Sequence, residues 1–274
     1  MLTIIKITLL EIVRRRILLV TILLAIAFLA VFGIGVHYGY RETGFPDQLK
    51  TLIPAQFLIL GLFFGSFIIS FLAIMAAVGA ISTEIENGTM HAIVPRPIRR
   101  SEIVLGKFLG YGLALAIFAA VFYIAVLLLI NFQTGVWVPI RVKAIALYAL
   151  QPLILLTITM FGTTFLPTLA NGIAIFIIYA LGILGGMMEQ IGYLLNSKII
   201  IKVGIISSLI MPADTVYRKI VYLLTSVADI NFSTYLLGPF GSGSEPSVWM
   251  LVYIFMYICL FLFLAIKIFS KRNI

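Results

Sequence analysis

The sequence predicts an all-α integral membrane protein, with six transmembrane helices preceded by an amphipathic helix at the membrane interface. Three observations carry that expectation. Of 274 residues, 62% are hydrophobic and only 11% are charged, whereas a soluble globular domain is roughly 45–50% apolar and about 25% charged. The apolar residues form runs long enough to cross a hydrocarbon core about 30 Å thick. The 19 Lys and Arg residues, which give a formal charge of +9, are biased towards alternate connections between those runs. A basic balance raises nucleic acid as a partner, but basic residues set among bilayer-length apolar runs read as topology determinants. No nucleic acid is expected.

Residues 1–16, "MLTIIKITLLEIVRRR", place Thr3, Lys6, Glu11 and Arg14 on one side and Ile4, Ile5, Leu9, Ile12 and Val13 opposite. This suits a helix lying in the interface, with the Arg triplet turning the chain into the first span. Ala25-Ile26-Ala27 resembles a signal-peptide cleavage site, yet the apolar run continues to Val36, so the segment is expected to be retained. The expected spans are 17–36, 54–80, 104–130, 144–166, 172–188 and 248–266. The second and third are long enough to tilt or project. Placing both termini inside puts eleven basic residues in the cytoplasm and four (Arg41, Lys50, Arg141, Lys143) in the short outer loops, as the positive-inside rule favours for a cytoplasmic membrane protein. Segment 189–247 is expected outside, as short helices lying on or dipping into the surface, with a seventh crossing or a pair of crossings as the alternative. In it, Pro212 suits a first helical turn and Asp214 stands four residues before Arg218. The whole of 1–274 reads as one transmembrane domain. Its single cysteine, Cys259, permits no intrachain disulfide and reads as a small apolar filler.

Several chemistries lack their motifs. There is no phosphate-binding Gly-x-x-x-x-Gly-Lys-Ser/Thr loop, no Gly-x-Ser-x-Gly elbow, no His-Glu-x-x-His and no Cys/His cluster of metal-ligand spacing. The spans carry almost no ionisable residue away from their ends, which argues against an ion-coupled carrier or an intramembrane hydrolase. Hydroxyls on Ser66, Ser70, Thr157, Thr159, Thr163 and Thr164 are expected to bond the backbone of their own helices.

The informative stretch is the 82–103 connection. Asn87-Gly88 is a helix-ending signal, so the second span should continue to Glu86. Thr89 can cap a short helix that Pro95-Arg96-Pro97 stops, and Ser101 can cap the third span with Glu102 in its first turn. Glu84, Glu86 and His91 could in principle bind metal or move protons. In an aqueous loop with no nucleophile nearby they read instead as a charged protein-contact surface.

The pattern Glu84-x-Glu86-x-Gly88-Thr89, then Pro95-Arg96-Pro97-Ile98-Arg99-Arg100 and Glu102-Ile103-Val104-Leu105-Gly106-Lys107, resembles the cytoplasmic loop of ABC transporter type-2 permeases. The interfacial helix before six spans is a second shared trait. "PADTVYR" before the last span is similar to smaller members, including permeases of the nitrous-oxide reductase maturation type. The resemblance implies the type-2 exporter transmembrane architecture and a permease that moves substrate by alternating access. It implies a set of partners: a separate cytoplasmic ABC ATP-binding subunit in two copies, a second permease copy as homodimer, and membrane lipids. The chain itself would need no cofactor and have no catalytic or metal site, with ATP and Mg held by the partner. Thr89–Val94 would be the coupling helix, and Glu84, Glu86, Gly88, Thr89, Met90, His91, Pro95, Arg96, Arg99 and Arg100 the docking loop. The alternative is a membrane scaffold or sensor that docks a cytoplasmic ATPase without transporting anything.

Overall fold

In hydrocarbon there is no water to bond exposed N–H and C=O groups, so an apolar chain crosses as helix. The computed structural model describes residues 1–14, 16–41, 53–88, 99–225 and 247–271, and helix is their only regular element. In chain order these are α1 (Leu2–Arg14), α2 (Arg16–Arg41), α3 (Ile53–Ala77), α4 (Ser82–Glu86), α5 (Arg100–Thr134), α6 (Val142–Gly162), α7 (Thr168–Leu194), α8 (Lys198–Ile210), α9 (Ala213–Thr225) and α10 (Val248–Lys271). Six segments are long and apolar enough to cross a bilayer: α2, α3 continued through α4, α5, α6, α7 and α10. The protein is an all-helical, multi-pass membrane protein.

Several helix limits differ from the sequence-based ones. In place of 104–130, α5 runs for 35 residues from Arg100 to Thr134, where Gly135 takes a φ of 70° and ends it. At 1.5 Å per residue that is about 52 Å, well beyond a hydrocarbon core, so α5 projects. Arg99 occupies its N-cap position without a side-chain cap bond. Ser101 therefore lies inside the first turn and does not cap it. The fourth span stops at Gly162, short of 166. The fifth, expected over 172–188, extends from Thr168 to Leu194, because Glu189 and Gln190 are buried against neighbouring helices instead of closing the span. The sixth continues past 266 to Lys271.

At the centre stands α6, which packs against α3, α5, α7, α9 and α10. Its fully buried Tyr148 donates to the Leu62 carbonyl at 3.2 Å. Aromatic rings tie α3 to the far side of the bundle: Phe63 meets Tyr217 edge-on at 5.4 Å and Phe67 meets Tyr179 at 6.1 Å. In turn, Tyr217 donates to the Ile59 carbonyl at 3.0 Å.

The N-terminal helix lies along α5. Ile4 sits over Gly106 and Thr8 over Gly110, where an added Cβ would come within 2.8 Å and 2.7 Å of them. Those contacts advance in step, so α1 runs beside the first turns of α5 in the same direction. Gly106 and Gly110 are thus the seat of α1.

Within the segment expected outside, α8 folds back on α7. Ile201 meets Gly192, Glu189 meets Gly204, Ser207 meets Gly185 and Met211 meets Gly182. The descending α8 thus reaches the mid-height of α7, and α9 then leaves at a bend of 109°. Taken together, α8 and α9 are long and apolar enough to form a bent crossing or a re-entrant hairpin. Arg218 holds this pair, with its guanidinium 2.7 Å from Glu189 of α7, 3.1 Å from Asp214 of α9 and 3.0 Å from Ser208 of α8. All four side chains are buried or nearly so. A planar fork can serve three elements at once in this way, where a lysine could not.

Removing one partner of such a cluster leaves an uncompensated buried charge, at a cost of about 3–5 kcal/mol. Arg218→Met should therefore sharply lower the melting temperature of the detergent-solubilised protein and open the α8–α9 hairpin to protease. An unchanged melting temperature and cleavage pattern would contradict the clamp.

Candidate functional site

The second span is broken. Between α3 and α4 the chain turns at 78–81 before resuming helix at Ser82, and the break leaves backbone groups without helical partners. An unsatisfied backbone group away from water costs several kcal/mol. Side chains from α5, α7 and the α6–α7 turn meet that demand.

Asn171 of α7 donates its amide hydrogens to the Val78 carbonyl at 3.1 Å and the Thr159 carbonyl at 3.1 Å, bridging α3 and α6. Thr163 Oγ1, just past the end of α6, accepts from the Ile81 and Ser82 amides at 3.3 and 3.0 Å. Lys107 of α5 donates to the Ala80 carbonyl and pairs with Glu84 Oε1 at 2.6 Å. Thr168 Oγ1 lies 2.8 Å from Ser82 Oγ and 3.2 Å from Thr83 Oγ1. The Thr168 amide donates to Glu86 Oε1 at 3.3 Å.

Local sequence explains how these groups converge. α6 ends at Gly162, Pro167 occupies the N-cap position of α7, and the turn between them carries Thr163 and Thr164. Since α6 and α7 both flank α3, the hydroxyls of that turn and Asn171 in the first turn of α7 face the broken span. Lys107 approaches from the opposite flank on α5. Only 5% of Lys107 is exposed, so its ammonium depends on the Ala80 carbonyl and on Glu84 to replace water.

Of the described members of the expected docking set, Glu84 and Arg100 are half-buried, and Glu86, Gly88 and Arg99 are exposed. Glu84 faces Lys107 and Glu86 faces Thr168, so both carboxylates fasten the root of the loop to the bundle. Gly88 adopts a φ of 70°, the left-handed turn conformation that ends α4 after Asn87. Arg100 donates to the Phe269 and Ser270 carbonyls at 3.1 and 3.2 Å and lies over the Phe269 ring, tying the start of α5 to the end of α10. Thr89, Met90, His91, Pro95 and Arg96, and with them the expected 89–94 helix, lie outside the described residues.

Sequence reasoning did not assign Ser82, Thr163, Thr168 or Asn171 to the site. It named Lys107 only as a motif ending. Hydroxyls do bond their own helices at Ser66, Thr157, Thr159 and Thr164, but Thr163 serves the neighbouring span. The available signal was the clustering of polar residues in "GTTFLPTLAN", between two apolar runs and at the loop's end of the bundle. What this joint can do is mechanical: it makes the loop's root, α3, α5, α6 and α7 share one hydrogen-bonded seam.

An all-helical bundle with six helical segments long and apolar enough to span a membrane, the second of them broken at such a seam, defines a multi-pass membrane component. The chain matches the model of the ABC-2 family transporter protein over residues 2–274 and belongs to that family. It is therefore a membrane component of the ABC transporter class. It is also similar to the probable ABC transporter permease protein NosY of Stutzerimonas stutzeri, 39% identical over 98 residues, or 35% of this chain and 34% of that protein. The same-named protein of Pseudomonas aeruginosa is 32% identical over 100 residues, again 35% and 34% of the two chains. The alignments thus cover about a third of either relative's length.

Thr163→Val keeps the shape but removes the acceptor of two buried amides, at about 1–3 kcal/mol for each group left unsatisfied. Hydrogen exchange at Ile81 and Ser82 should accelerate, and Thr163→Ser should restore protection. Equal protection in the Val variant would show that the hydroxyl does not hold the joint.

Proposed function

We propose that the chain is the membrane-spanning permease of an ATP-driven ABC exporter in the cytoplasmic membrane, powered by a separate ATP-binding subunit. The observation that carries this reading is the joint. A force applied to the 82–103 loop has a hydrogen-bonded route into α3, α5, α6 and α7 at once. The names of the two relatives, both ABC transporter permeases, support the same reading.

In this reading Thr89, Met90, His91, Pro95, Arg96 and Arg99 meet the ATPase. Glu84, Glu86 and Arg100 fasten the loop's two roots, and Gly88 gives the turn between root and contact surface. The loop and both termini face the cytoplasm, in keeping with eleven basic residues on that side against four in the short outer loops. Two ATP-binding subunits, which hold ATP and Mg, and a second copy of this chain complete the assembly. Closure of the ATP-bound subunits pushes the loops, and the permease pair alternates between inward and outward access.

Affinity purification of the chain from native membranes should recover an ATP-binding subunit. Arg96→Glu combined with Arg99→Glu should lower that recovery by about tenfold, equivalent to a loss of roughly 1.4 kcal/mol, with the melting temperature of the permease unchanged. Failure to recover any ATP-binding subunit would overturn the reading. Recovery of a complex whose ATP turnover responds to no candidate substrate would favour a scaffold that docks the ATPase without transporting.

A further inference from the structure

Beneath the tip of the α8–α9 hairpin lies a cavity of 310 Å³ between α6, α7 and α10. Its walls are hydrocarbon and aromatic, with Ile158 and Phe161 from α6, Ala174 and Ile175 from α7, and Phe261 from α10; Ile210, the last residue of α8, also lines it. One hydroxyl reaches it, that of Tyr257, and it is already engaged with the Ile210 carbonyl at 2.8 Å. A water needs two to four polar partners, so this space offers water nothing.

Two further features define the occupant. The lining extends along α7 from Leu166, before its first turn, to Ile178, about 18 Å at the helical rise. An apolar space drawn out along a helix in this way suits a hydrocarbon chain. Its walls belong to three membrane-crossing segments, and its rim includes Phe165 and Ile210, which are 47% and 57% exposed. An apolar mouth between such segments favours a hydrocarbon occupant over an aqueous one.

We propose that this slot binds one acyl chain of a bilayer phospholipid, which fills the space under the hairpin and supports its tip. The chain enters sideways between the rim residues and lies along α7. Ile210 forms the roof, so the occupied slot sets the height at which α8 ends and α9 departs. The Tyr253 and Tyr257 hydroxyls, bonded to the Leu209 and Ile210 carbonyls at 2.6 and 2.8 Å, hold that roof from the α10 side. The inference depends on membrane embedding and on the slot itself, and stands apart from the reading of the loop.

The test uses the full chain in phosphatidylcholine vesicles doped with phosphatidylcholine that carries a photoreactive diazirine midway along one acyl chain. After illumination, labelled positions are mapped by peptide mass spectrometry. Ile158 and Ile175 are only 4% and 3% exposed, so label on them arrives through the slot, whereas Leu23 and Ile34 on the open face of α2 report ordinary lipid contact. Label is expected at both pairs. Ala174→Phe, which fills the slot, should abolish label at Ile158 and Ile175 and leave Leu23 and Ile34 labelled. Ile178→Ala, which widens it, should increase label at Ile158 and guards against misfolding of the bulkier variant. Absence of label at Ile158 and Ile175 in the unmodified protein, or label that neither variant changes, would overturn the proposal.

Discussion

A backbone that leaves helical geometry away from water must find its hydrogen bonds in side chains. The joint at 78–81 is where that constraint decides the architecture. Carbonyls at Val78 and Ala80 and amides at Ile81 and Ser82 are satisfied by Asn171, Lys107 and Thr163, which belong to three different segments. Their positions are mutually dependent, because shifting any one helix strands a buried polar group on another. The break in the second span thus gives a set of apolar helices, otherwise free to slide past one another, a fixed register at the loop's end.

The same rule operates at the other irregular point. At 211–212 the chain turns from α8 into α9, and the last carbonyls of α8 accept from Tyr253 and Tyr257 of α10. Arg218 closes the arrangement by joining α7, α8 and α9. One helix, α7, takes part in both places, through Thr168 and Asn171 at its start and through Glu189 towards its end. A displacement of the loop root that α7 follows would therefore reach the hairpin without a separate linkage.

Much of the frame was legible in the sequence because long apolar runs and charged connections leave few alternatives. The helix stop at Asn87-Gly88 and the Asp214–Arg218 pair were also readable, each being a local rule of backbone conformation or helical spacing. What was not legible depends on contacts between elements. Thr163 looks like any hydroxyl at a helix end until α3 is placed beside it. Glu189 looks like the end of a span until Arg218 is brought 2.7 Å away. Ser101 offered a plausible cap, but α5 begins one residue earlier, and the polar contacts of its N-terminal region lie with Arg100 against α10 and Glu102 near the N-terminal amine.

Under the proposed function, the loop root and the α6–α7 turn move as one body when the partner turns over ATP. Ser82 and Thr168 face each other with their oxygens 2.8 Å apart, so Ser82→Cys with Thr168→Cys allows the joint to be locked by oxidation and released by reduction in the same preparation. ATP turnover of the assembled complex, measured in both states, is the direct test. The joint acts as a rigid connection in this account, so the oxidised complex should turn over ATP as fast as the reduced one. A loss of turnover on oxidation, restored on reduction, would show that the joint must open in each cycle and would contradict it.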